Sequence, residues 1–145
     1  MEILLNIDVD DLDKAVAFYE RALGLRAGRR LFDGSVAEML GGSSPIYLLA
    51  KAAGSSAAPG DLARRDYARH WTPVHLDFVV ERIAFAVERA VGAGAKIEQA
   101  VKTFPWGKLA VLSDPFGHGF CLIEFAHKET RYDAVNSPPT DRPLP

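Results

Sequence analysis

One pattern of elements, strand, helix, strand, strand, strand, occurs twice along this chain. That repetition constrains the fold more than any single motif. Ile3 to Val9 is an apolar run broken only by Asn6 and Asp8, the mark of a strand. Asp10-Asp11 then offers a helix start, with carboxylates suited to the positive end of the helix dipole. Leu12, Ala15, Val16, Tyr19, Ala22 and Leu23 fall on one helical face, which Gly24 closes. Three strands are expected next, over Leu25 to Phe32, Ser35 to Leu40 and Ile46 to Lys51. Asp33-Gly34 and the stretch Gly41 to Pro45 are the turns between them.

The second half repeats the order. Pro73 to Val80 reads as a strand, and Arg82 to Ala93 as a helix with Ile83, Ala86, Val87, Ala90 and Val91 on one face. Strands follow at Ala95 to Thr103, Lys108 to Leu112 and Gly119 to Ala126. An offset of 71 lays Leu4 on His75, Asp11 on Arg82, Leu12 on Ile83 and Ala15 on Ala86. A repeat of this kind cannot bury its sheet face alone, so the two units should pair. The expected fold is α+β: two paired βαβββ modules forming curved mixed sheets around a cavity. The expected boundaries are 1–51 for the first module, 52–70 for a linker, 71–126 for the second module and 127–145 for an irregular tail. The linker is rich in Ala, Gly and Ser and then in Arg, and reads as a solvated connector. The tail holds Pro138, Pro139, Pro143 and Pro145 among polar residues.

Composition narrows the function. A net charge of −2 gives no electrostatic case for nucleic acid or an anionic membrane surface. The single cysteine, Cys121, excludes an intramolecular disulfide framework and a multi-cysteine zinc site. No basic leader precedes Ile3, and no apolar run approaches the roughly 18 residues of a membrane span. A reducing cytoplasm is the expected location.

The strongest local signal is Asp114-Pro115-Phe116-Gly117, a tight turn with Pro pre-set at its second corner, followed by the short apolar strand from Phe120 to Phe125. With this turn closing the second module, the chain resembles the vicinal oxygen chelate superfamily of glyoxalase, bleomycin-resistance, fosfomycin-resistance and extradiol dioxygenase proteins. Three stretches carry the likeness. Val9-Asp-Asp-Leu-Asp-Lys-Ala-Val-Ala-Phe-Tyr-Glu-Arg-Ala-Leu-Gly24 resembles the opening V-x-D-L-x-x-S/A-x-x-F-Y-x-x-x-L-G. His75-Leu-Asp-Phe-Val-Val80 resembles the start of the second module, and Asp114-Pro-Phe-Gly-His118 the closing D-P-x-G-N/H turn.

The resemblance implies a divalent metal held by His, Gln or Glu on the first and last strands of the modules, acting as a Lewis acid on substrate oxygens. Its ligand positions fall here on Leu4, His75 and Cys121, and the fourth strand carries no carboxylate. Only His75 matches, so a degenerate metal site is expected and a divalent cofactor is not favoured. Glu124 stands three residues beyond Cys121, hence on the other face of its strand unless a bulge shifts the register. Asp8, Glu38 or a partner subunit would supply the further donor to a His75–Cys121 pair holding a soft metal.

The expected function is that of a glyoxalase/bleomycin-resistance-like protein binding a small organic molecule in its cavity, as a homodimer. Strand parity names Asn6, Glu38, Tyr47, Asp77 and Trp106 as ligand contacts, the resemblance adds Cys121, and His75 is the expected catalytic or metal-binding residue. Two other readings stay open: a lyase or dioxygenase using a metal on His75, and a metal-free enzyme with His75 as general base. His118 is expected to serve the turn, and Cys121 to be a buried small hydrophobe or half of a Cys–His pair.

Overall fold

A computed structural model describes residues 1–129, 131 and 132. Both modules form. The first is β1 (Leu5–Val9), α1 (Leu12–Leu23), β2 (Arg26–Leu31), β3 (Val36–Leu40) and β4 (Ile46–Ala50). The second is β5 (Leu76–Val79), α2 (Ile83–Ala93), β6 (Lys96–Phe104), β7 (Gly107–Ser113) and β8 (Gly119–Phe125). Each module folds into a four-stranded mixed sheet, in the order β1-β4-β3-β2 and β5-β8-β7-β6. In each, the first strand runs parallel to the last and the rest pair antiparallel. The architecture is α+β, two paired βαβββ modules.

The helices are what the modules share. Ala15, Phe18, Tyr19 and Ala22 of α1 and Ile83, Ala86 and Ala90 of α2 lie in one buried cluster with side chains from both sheets. Alternation along the strands explains which residues join it. Leu5, Ile7 and Val9 on β1, and Leu76 and Phe78 on β5, point to one face, and Asn6, Asp8, His75, Asp77 and Val79 to the other. Polar ties reinforce the junction: the Tyr19 hydroxyl donates to Asp114 Oδ2 at 2.9 Å, and Arg89 Nε donates to the Ala22 carbonyl at 3.0 Å.

The two helix starts are secured differently. Asp11 caps α1 from its own chain, its Oδ1 accepting from the Lys14 amide at 3.0 Å. Arg82 stands at the start of α2 and caps nothing. There Glu124 of β8 reaches across and accepts from the Ile83 amide at 2.7 Å.

The turn at Asp114 forms as expected. Asp114 Oδ1 accepts from the amides of Phe116 and His118, both at 2.9 Å. Gly117 has φ +85, and a Cβ there would come within 2.1 Å of the Ala68 carbonyl oxygen, so only glycine fits.

Three expectations change. The first strands begin later than Ile3 and Pro73, at Leu5 and Leu76. Leu5 is the first residue with a partner on β4, opposite Ile46, and Leu76 the first with one on β8, opposite Phe120. The linker is not a plain solvated connector. Arg65 pairs with Asp8 at 2.6 Å, Arg69 pairs with Glu98, and Ser56 bridges Arg64. The sheets also stay open, so their concave faces bound clefts and not a closed chamber. Of the expected tail, residues 130 and 133–145 lie outside the described residues.

Candidate functional site

Matching positions of the two sheets carry unlike chemistry. On the first sheet Asn6 pairs with Tyr47, and Tyr47 with Glu38, in one row across β1, β4 and β3. Glu38 is buried, yet it is fully answered. Arg29 grips it through Nε at 3.0 Å and Nη2 at 2.6 Å, the Arg29 amide donates at 3.2 Å, and the Tyr47 hydroxyl lies at 3.4 Å. The Arg29 side chain and backbone together hold the Glu38 carboxyl down at about 2.

On the second sheet the same row is Asp77, Cys121 and Val111, with His75 two residues before Asp77 on the same face. His75 Nε2 stands 3.2 Å from Asp77 Oδ1, and both side chains reach solvent. The donor atoms of His75, Asp77 and Cys121 all lie within 4.8 Å of one another, the one such trio among the described residues. Cys121 is only 8% exposed, and burial, then the Asp77 carboxylate, pushes its thiol up to about 11. A thiol so held is a poor nucleophile near neutral pH, which weakens the Cys–His pair.

Two clefts meet at His75. One, of about 390 Å³, runs between β1 and β5, with Leu5, Ile7, Leu76, Phe78 and Phe120 as its apolar wall and Asn6, Thr72, His70 and His118 among its polar groups. The other, of about 250 Å³, lies over the second sheet and is lined by Arg69, Trp71, Thr72, Cys121 and Phe120. Phe78 and Phe120 meet edge to face at 5.8 Å, which stiffens the shared wall.

The structure therefore gathers some of the expected residues and not others. Asn6, His75 and Cys121 line these clefts, and Asp77 adjoins them through His75 and Cys121. Glu38 and Tyr47 face the open side of the first sheet, closed off by Arg29. Trp106 is a packing residue: it stacks on Phe104 at 5.1 Å and meets Phe125 and Tyr132, away from His75. Asp8 and Glu38 are engaged by arginines and do not serve as supplementary donors to His75 and Cys121. His118 does more than shape its turn, because its ring reaches Asp8 on β1 and His70 on the linker. The sequence reading missed Trp71, Thr72 and His70, since nothing in a linker's composition says where it folds back. Asp77 as a third donor was within reach, because a spacing of two on a strand puts it on the face of His75.

The paired-module metal set that the resemblance implies does not fit. Leu4 offers no donor opposite His75. Glu124 cannot replace Cys121, because β8 pairs with β7 in unbroken register from Gly119 to Phe125, and Glu124 is bound to Lys108 Nζ at 2.9 Å and to the Ile83 amide. The one-module trio of N, O and S donors does suit a borderline cation such as zinc.

Two paired βαβββ modules, each with its first strand parallel to its last, are the architecture expected of the vicinal oxygen chelate class. A family profile described as glyoxalase-like domain matches residues 4–123. The chain belongs to that family. No curated protein sequence matches it. Among solved structures, a glyoxalase/bleomycin resistance protein/dioxygenase family enzyme from Burkholderia phytofirmans PsJN superposes with a TM-score of 0.66 at 18% identity, covering 84% of this chain and 96% of that one. The fosfomycin resistance protein FosX from Listeria monocytogenes gives 0.65 at 18% identity, covering 90% and 97%. A glyoxalase-related enzyme from Fulvimarina pelagi gives 0.65 at 15%, covering 86% and 87%. At these identities the likeness is one of fold. Among the described residues no helix is long and apolar enough to cross a membrane.

Proposed function

We propose that this protein binds a small, mostly apolar organic molecule carrying one polar group, seated between β1 and β5 with that group at His75. One observation carries the reading: the cleft of about 390 Å³ combines a continuous apolar wall with a few convergent polar groups, at the size ordinary for small-ligand sites. Asn6 and Thr72 are the hydrogen-bonding partners beside His75, and Asp77 orients the imidazole. Trp71 is 81% exposed at the mouth of the adjoining cleft and is the natural reporter. Tryptophan fluorescence and thermal shift against a panel of aromatic and aliphatic carbonyl compounds test the proposal. Binding should weaken about fivefold in Asn6→Ala and in His75→Ala, the net worth of one hydrogen bond. Hits whose affinity ignores both substitutions would sink it. The homodimer belongs to the same reading and is checked by sedimentation equilibrium.

A second reading rests on the trio His75, Asp77 and Cys121. Those three residues would hold a borderline cation, which when bound supplies Lewis acidity toward a substrate oxygen. His75 would be its neutral donor, and Asp77 and the Cys121 thiolate its charged ones. Titration with Co²⁺ decides: thiolate-to-metal absorbance that disappears in Cys121→Ser supports the site, and its absence in the wild-type protein removes it.

A further inference from the structure

The His70–His118 pair lines the cleft of the first reading, but neither reading uses it as a contact to ligand or metal. His118 sits on the turn before β8, and His70 on the linker. His118 Nε2 is 2.8 Å from the Asp8 carbonyl oxygen, His118 Nδ1 is 3.0 Å from His70 Nε2, and His70 Nδ1 is 3.0 Å from the Ala68 carbonyl oxygen. The rings cross nearly at right angles with centroids 4.8 Å apart, and both line the cleft between β1 and β5.

Counting donors gives an unusual result. A carbonyl oxygen only accepts, so His118 Nε2 and His70 Nδ1 must each carry a hydrogen. The contact between the rings needs a third, on one of the two facing nitrogens. Two neutral imidazoles bring two N–H groups, and the three contacts require three. We propose that the His70–His118 pair binds one shared proton, and that this proton fastens the linker and the Asp114 turn to β1. Either ring can carry the charge, since moving the hydrogen between the facing nitrogens leaves all three contacts intact. Loss of the proton to solvent opens one contact. A second proton sets N–H against N–H and breaks the middle one. The tie is complete only for the singly protonated pair.

The charged groups around the pair are themselves largely paired. On β1 the Asp8 carboxylate is held by Arg65, and on β6 Glu98 is held by Arg69. On the turn, Asp114 takes its hydrogen bonds from neutral donors, namely the Tyr19 hydroxyl of α1 and the amides of Phe116 and His118. Tyr67 of the linker meets the His118 ring edge-on at 6.5 Å, and its hydroxyl is pushed up by burial and then by Asp8, with Asp10 adding to the effect and Arg65 opposing it. Lys14 of α1 lies over the Phe116 ring at 5.6 Å, and His75 shares the cleft. The Arg69 guanidinium also lies against the His70 and Gly117 carbonyls and faces Asp114.

The device differs from an ordinary buried histidine, whose protonation loosens the fold. Here deprotonation loosens it, and with it the wall of the cleft. Ring nitrogen NMR on the intact protein between about pH 5 and about pH 8, the interval in which histidine changes charge, tests this. The two rings should titrate as one unit that exchanges a single proton. The His70 amide, bound to the Gly117 carbonyl at 3.2 Å, should exchange about fivefold faster at the alkaline end after correction for base catalysis, the worth of one net hydrogen bond. His118→Asn keeps an amide donor for Asp8 and removes the shared proton, so its His70 protection should be flat with pH. Independent titration of the rings to two full imidazolium ions, or pH-independent protection in the wild-type protein, overturns the proposal. The wild-type titration decides even where the variant fails to fold.

Discussion

The two modules share a skeleton and differ in what they leave open. Their register matches position for position: Tyr47 corresponds to Cys121, Leu48 to Leu122, Glu38 to Val111 and Asn6 to Asp77. In the first module Arg29 and Tyr47 seal the polar row around Glu38. In the second, the carboxylate stands two strands over, at Asp77 on β5, and among the described residues no arginine pairs with it. The lesson is that the fold supplies equivalent places, while charge pairing decides which of them stays available. A satisfied buried carboxylate is structure, and an exposed one beside a histidine is a candidate site.

The largest expected effect asks whether the modules are energetically one unit. Leu48→Ala and Leu122→Ala remove fully buried side chains at matching positions of one continuous core, and each should cost about 2–5 kcal/mol in urea unfolding. Both should shift a single transition; two separate transitions in either variant would show that the helix packing does not couple the modules. Next comes the thiol. With Cys121 at about 11, its alkylation near pH 8 should run on the order of a hundredfold slower than that of a free cysteine. Asp77→Asn should speed it without restoring it, because burial is the larger cause.

Tyr19→Phe cuts the tie between α1 and the Asp114 turn and leaves Asp114 Oδ2 short of a donor. It should cost about 1–3 kcal/mol, read from the denaturation midpoint. The caps give a finer contrast. Asp11→Ala should cost about 1 kcal/mol, whereas Arg82→Ala, at the matching position, should stay within about 0.5 kcal/mol. Equal losses would mean that α2 is capped locally after all. The smallest effect is on acid stability. Glu38 is lowered from its usual 4.5 to about 2, so its contribution is present above 4.5 and lost as pH falls through about 2. Glu38→Gln should flatten that part of the curve of Tm against pH, modestly, since Arg29 is 69% exposed and screened. No matching change is expected from Val111.

The elements were legible because their signals are local. Alternation marks strands, the apolar face from Leu12 to Leu23 marks α1, and Asp114-Pro-Phe-Gly marks its turn; each needs only neighbouring residues to act. The candidate site was half legible. His75 and Cys121 follow from counting along motifs, and Asn6 from strand parity. The fates of Glu38, Asp8 and Trp106 did not follow, because Arg29 reaches Glu38 across a strand, Arg65 reaches Asp8 from 57 residues away, and Trp106 packs on Phe125 of a neighbouring strand.

The two helix starts mark the boundary most plainly. The sequence alone determined the modules, their order and the α1 cap, since Asp11 needs only the amide three residues on. Tertiary structure alone decided that Glu124 caps α2, that Arg29 seals the first concave face, and that His70 and His118 meet. Glu124 and His118 reach partners 41 and 48 residues away, and Arg29 reaches Glu38 only once β2 and β3 pair, so folding alone sets the distances between them.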